Sequence, residues 1–202
     1  MDSRPVFLIL PGVTADAERF RACIALAHGL WPEARVEMPD YLSRFHGVEG
    51  VGKWLDPWAS ASLDNAGAVY VLAYILGGAA LAHAPVLLSR TRRVVLVRSR
   101  YQEAVPKALV RRFTYPGALL LFGKAIADLG ARPFWPAGFK PSCPVLTLVE
   151  TLPSRRAEQL KVRPLSDAEL GISEYREVAV DHDGAYHSRA LMTAAVSWLR
   201  PG

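Results

Sequence analysis

The chain alternates short, wholly apolar runs with longer stretches of helical periodicity. Val6 to Leu10 (VFLIL) has strand length and ends at Pro11-Gly12. Asp16 to Leu30 then places Phe20, Cys23, Ile24 and Ala27 at helical spacing, and Gly29 marks its end. Ala34 to Met38 predicts a short strand closed by Pro39-Asp40. Val48 to Ser62 carries Val51, Trp54, Leu55 and Trp58 on one helical face, with a kink expected at Pro57. Ala68 to Ala73 predicts a strand, Gly77 to Leu88 a helix, and Arg93 to Val97 a strand. Pro144 to Val149 and Tyr175 to Val180 add two more strands before a closing helix, Ala185 to Leu199. Strands that are apolar throughout, each followed by a helix, predict an α/β fold with a mostly parallel sheet covered on both faces.

Tyr101 to Lys140 breaks this rhythm, being too long for a plain connection. It holds Val105 to Phe113, the Tyr115-Pro116-Gly117 turn, the apolar run Ala118 to Phe122, and Arg132-Pro133-Phe134-Trp135-Pro136. It predicts an inserted helical lid over 101–140; the alternative is an ordinary helical layer of the same fold.

A length of 202 residues with 51% apolar content suits one folded domain over 1–202. Cys23 and Cys143 have no CxxC or metal-ligand spacing, so a disulfide framework or cysteine-rich zinc module is excluded. The histidines share no ligand spacing, and P-loop, GxGxxG and EF-hand motifs are absent, so no metal and no cofactor is expected. Ala66 to Ser89 lacks Asp, Glu, Lys and Arg, but Gly67, Gly77, Gly78, His83 and Pro85 interrupt it. It reads as buried strand, turn and helix rather than a transmembrane segment. The apolar start is too short for a signal peptide, so a cytoplasmic location is the expectation.

The net charge of +5 is unevenly spread. Arg98, Arg100, Lys107, Arg111, Arg112, Lys124, Arg132 and Lys140 face only Glu103 and Asp128 in the same stretch. A basic, apolar segment suits an acidic partner: a carrier protein, a phosphopantetheine or coenzyme A group, an anionic lipid surface or a carboxylate. The pattern matches no nucleic-acid module.

Val71 to Ala79 (VLAYILGGA) orders strand, sharp turn, Gly-Gly and Ala-rich helix. Here the chain resembles the α/β-hydrolase superfamily, whose elbow form GHSMGGA aligns without gaps onto Ala73 to Ala79. Leu10-Pro11-Gly12 falls where that family carries its oxyanion loop, Pro144 to Val149 where the strand before the acid lies, and Asp181-His182 where the catalytic histidine lies. The resemblance covers nearly the whole chain. Its departures are at the chemistry. Ile75 stands at the nucleophile position and cannot be acylated. Pro153 stands where Asp is expected, with Glu150 three residues early, so the acid reads as missing. Of the triad, His182 alone survives by position.

The resemblance therefore implies a catalytically degenerate member that binds a small apolar or acyl ligand, free or on a carrier protein, or a protein partner. Its cleft is expected to use Tyr74, Phe113, Leu120, Phe122 and Trp135, with backbone N–H groups of Val13 and Leu76 as the oxyanion-type donors. The alternative is a non-hydrolytic enzyme of lyase, cyclase or cofactor-free oxygenase type, with His182 as general base. A structural subunit, as a homodimer or beside an active paralogue, is a third reading.

Overall fold

A computed structural model describes residues 4–13, 17–41 and 43–201, without the side chains of 17–20 and 43–44; the expected helix residue Asp16 and the side chain of Phe20 lie outside the described residues. Six parallel strands form one sheet in the order β2-β1-β3-β4-β5-β6. They are β1 Val6–Leu10, β2 Arg35–Glu37, β3 Val69–Tyr74, β4 Thr91–Ser99, β5 Val145–Glu150 and β6 Arg176–Val178. The helices are α1 Ala17–Leu30, α2 Ser43–Ser62, α3 Ile75–Ala80, α4 Pro85–Arg90, α5 Ala104–Phe122, α6 Lys124–Ala131, α7 Arg155–Gln159, α8 Asp167–Leu170 and α9 Arg189–Leu199.

Strand side chains alternate between faces, and each face builds its own core. Val6, Leu8, Leu10, Val71 and Ala73 pack under α2, α3 and α4 with Val51, Leu55 and Leu87. Phe7, Ile9, Leu72 and Tyr74 pack under α1 and α9 with Cys23, Ala27, Leu191 and Ala195. Burial on both faces is why the central strands β1 and β3 carry no charged residue at any position.

Three boundaries differ from expectation, each for a backbone reason. The break in α2 falls at Gly47 (φ 66°), while Pro57 is carried inside the helix. The stretch expected as one helix over 77–88 is α3, a 3-10 turn at Leu81–His83 and then α4, opened by Pro85 at its first position. The closing helix begins at Arg189 after a separate 3-10 turn, Ala185–His187, because Ser188 caps it by accepting the Leu191 N–H at 3.2 Å.

The 101–140 stretch is helical, as α5 and α6, with a break at Thr114 (φ 60°) and a turn at Gly123 (φ 87°). Asp128 ties it down. That carboxylate is fully buried, accepts from Tyr115 Oη at 2.8 Å and the Val48 N–H at 3.2 Å, and pairs with Lys124 Nζ at 3.3 Å. A buried carboxylate with these partners joins α2, α5 and α6.

The α1 face is chemically quiet. Burial pushes the Cys23 thiol up from 9.0 to about 11 and raises the Tyr74 phenol well above its ordinary 10.0; on the α2 face burial does the same to Tyr41. Between pH 9 and 11 the unfolded chain ionises at these groups and the folded chain does not, so stability is present below pH 9 and declines as pH rises. Ellman's reagent at pH 8 is expected to react with half-buried Cys143 and to reach Cys23 only on unfolding; equal rates for both thiols would contradict the buried placement.

Candidate active site

The site sits at the C-terminal ends of β1, β3 and β5. Ile75 opens α3 immediately after β3. Gly77 makes the turn possible: a Cβ there would stand 2.5 Å from Leu10 Cβ and 2.7 Å from the Leu10 carbonyl oxygen. Only a glycine lets α3 lie this close to β1. Leu76, second in α3, belongs to the first turn, whose N–H groups have no acceptor within the helix. Ile75 itself is not among the described non-glycine residues with positive φ, which are Thr114 and Lys161. The turn is sharp but unstrained, as a β-branched side chain requires.

Across from Ile75 lies a histidine–carboxylate pair. His182 Nδ1 is 3.2 Å from both carboxylate oxygens of Glu150, which is fully buried at the end of β5. A neutral imidazole donating its Nδ1 proton to Glu150 carries its lone pair on Nε2. Nε2 lies 3.8 Å from where a Cβ on Gly12 would stand, so it faces the loop after β1. Tyr186 completes this wall: it stacks on Tyr74 with ring centroids 4.1 Å apart, and its hydroxyl accepts the Gly12 N–H at 2.7 Å.

A cavity of about 560 Å³ opens above these residues. Gly12, Val13, Ile75 and His182 line one side; Val105, Leu109, Phe122 and Ile126 of α5 and α6 line the other. Such a volume matches that of small-molecule sites.

No protein-family model matches the sequence, and no curated protein matches it either. Solved structures do match. An esterase from Thermogutta terrifontis, solved with malate bound, superposes with a TM-score of 0.54 at 16% identity, over 98% of this chain and 90% of the other. YbtT, the type II thioesterase of the yersiniabactin NRPS/PKS pathway, gives 0.56 at 12% identity, over 98% and 93%. A structure of the metagenome-derived lipolytic enzymes LipS and LipT gives 0.59 at 13% identity, over 98% and 94%.

The chain has the α/β-hydrolase fold. The sequence reading places no acid beside His182, with Pro153 at the expected position; in the structure Glu150 reaches His182 Nδ1 from the end of β5.

The expected cleft residues divide. Phe122 lines the cavity above Ile75, and Trp135 lines a neighbouring one while donating its indole N–H to the Gly78 carbonyl at 2.8 Å. Tyr74 does not line either: it is buried on the α1 face, because Tyr70, Leu72 and Tyr74 share one side of β3. Phe113 and Leu120 point elsewhere. Leu120 is 82% exposed, and Phe113 packs on Phe122 at 5.8 Å from outside the cavity. His28, in the last turn of α1, and His187, in the 3-10 turn before α9, are both exposed. Among the described residues no cluster of His, Cys, Asp and Glu could hold a metal, and no helix is long and apolar enough to cross a membrane.

Proposed function

We propose that the protein binds an apolar or acyl ligand in the cavity above Ile75, under α5 and α6 as a lid, without forming an acyl-enzyme. The observation that carries this reading is Ile75 itself: the elbow residue is a hydrocarbon, 6% exposed, set into the wall of a space of ligand size that mixes apolar α5 and α6 residues with Gln102, Ser154, Arg156 and Asp183. Every hydrolytic use of that position needs a nucleophilic atom, and Ile has none. The exposed Leu119, Leu120 and Leu121, on the same α5 that carries Arg111 and Arg112, suit delivery of the acyl ligand on an acidic carrier protein.

A second reading rests on a separate observation, the Glu150–His182 pair. A fully buried carboxylate is costly unless it is hydrogen-bonded, and here it orients an imidazole beside the cavity. That arrangement serves a general base acting on a bound substrate directly, with Val13 and Leu76 N–H groups meeting developing negative charge.

One experiment separates these. Titration with the neutral probe N-phenyl-1-naphthylamine is expected to saturate, and Ile126→Trp, which fills the cavity, weakens it by about tenfold or more. Unsaturable binding, or no effect of Ile126→Trp, sinks the ligand-site reading. Incubation with a metabolite extract then decides between the two: a binder enriches a compound unchanged, whereas a base depletes it and His182→Gln stops the depletion.

A further inference from the structure

A second cavity, of about 530 Å³, adjoins the first; Ile75, Pro106 and Leu129 line both. Arg98, near the end of β4, lines it. This arginine is only 3% exposed, and its hydrogen bonds are directional. Nε donates to Glu103 Oε1 at 2.6 Å, and Nη2 donates to Glu103 Oε2 at 2.7 Å and to the Leu170 carbonyl at 3.1 Å. The Phe134 ring lies 3.5 Å from the guanidinium carbon and fixes its plane. Nη1 bonds to none of the described residues. It is also not one of the enclosed polar atoms without a hydrogen bond among them, which are Arg35 Nε and Asp167 Oδ1, held instead in ion pairs with Glu37 and Arg100. Nη1 therefore reaches the space of the cavity.

An always-charged side chain is here buried, locked by a bidentate carboxylate on one edge and left with donor capacity on the other. A locked donor loses little freedom when a ligand accepts from it. Lys107 and Arg132 add positive charge to the wall. Of the carboxylates there, Glu103 is committed to Arg98, and Glu169 to Arg163 at 2.6 Å and to the Ser166 N–H at 2.8 Å; Glu174 stands exposed. Part of the remaining wall is aromatic, with Trp135 and Phe139 in edge contact at 5.2 Å beside Phe134.

We propose that this cavity binds a small organic carboxylate with a flat apolar body, its carboxylate accepting from Arg98 Nη1 and its body lying against Trp135 and Phe139. The proposal stands apart from the ligand reading of the first cavity, which a neutral probe tests.

The test titrates 1-naphthoate and its methyl ester, read by Trp135 fluorescence. Naphthoate is expected to quench saturably, with the ester weaker by about tenfold or more, as loss of a charge-assisted hydrogen bond implies. The double variant Arg98→Met/Glu103→Gln removes the donor without stranding a carboxylate and is expected to erase the preference for naphthoate. Ala168→Trp, at the cavity rim, leaves the Arg98–Glu103 pair intact and is expected to weaken naphthoate by a similar factor; it decides the matter should the double variant fail to fold. Equal binding of the ester, unchanged binding by Ala168→Trp, or competition by inorganic phosphate as effective as by naphthoate would each overturn the proposal.

Discussion

A fluorophosphonate probe is expected to leave the wild-type chain unlabelled and to label the Ile75→Ser variant at position 75. The probe requires a nucleophilic oxygen with a base beside it. Wild type offers the base and no oxygen; the variant supplies both, because His182 is already oriented by Glu150 at 3.2 Å. Adding Glu150→Gln to the Ile75→Ser background should slow labelling by about a hundredfold or more, since the carboxylate fixes the imidazole tautomer and stabilises its charged form. Stoichiometric labelling of wild type would contradict the inert elbow. Labelling indifferent to Glu150→Gln would show that the pair does not activate position 75. The unstrained turn should keep the variant slower than an enzyme whose serine is held on a strained elbow.

Gly77→Ala is expected to cost about 3 kcal/mol or more in urea unfolding, the upper range for overpacking. The added methyl would meet Leu10 Cβ at 2.5 Å and Leu10 backbone atoms at 2.7 and 2.9 Å. Backbone cannot swing aside as a side-chain tip can, so α3 must lift from β1. Gly29→Ala is the contrast. A Cβ there meets nothing within 4 Å, and the residue lies in α1, where Ala is favoured by about 0.5–1 kcal/mol over Gly. The two substitutions should therefore move stability in opposite directions. Equal effects would contradict the close α3–β1 approach.

Much of this architecture is legible in the amino-acid order because strand burial and glycine placement are local signals. VFLIL, VYVLAY and the VVLV of β4 form unbroken runs without a charge, as a doubly covered sheet demands. The elbow was legible from Gly77-Gly78 for the same reason. The acid was missed because counting from a strand start assumes a fixed loop length. Strand alternation gives a better guide: Leu146 and Leu148 face α9, so Glu150 must too, toward the loop that brings in His182. Alternation also places Tyr74 below the site rather than in it. The 101–140 stretch was harder. Its helicity followed from periodicity, but whether Leu120 turns inward depends on the breaks at Thr114 and Gly123, and a non-glycine residue at positive φ leaves no clear mark in sequence. The short helices α7 and α8 were unforeseen; at this length their caps, Ser154 and Ser166, are the signal.

The strand order β2-β1-β3-β4-β5-β6 bears on how the chain is made. From β4 onward, each strand pairs with the one synthesised before it, so the sheet extends in the direction of translation. A nascent chain that has exposed β3 can already pair it with β1. The α9 face waits longest, since Leu191, Ala195 and Leu199 follow every other described element in the chain. Until then Phe7, Ile9 and Leu72 have only the α1 part of their cover on that side. The interval between emergence of β3 and docking of α9 is when the nascent chain is most open to aggregation and to chaperone capture.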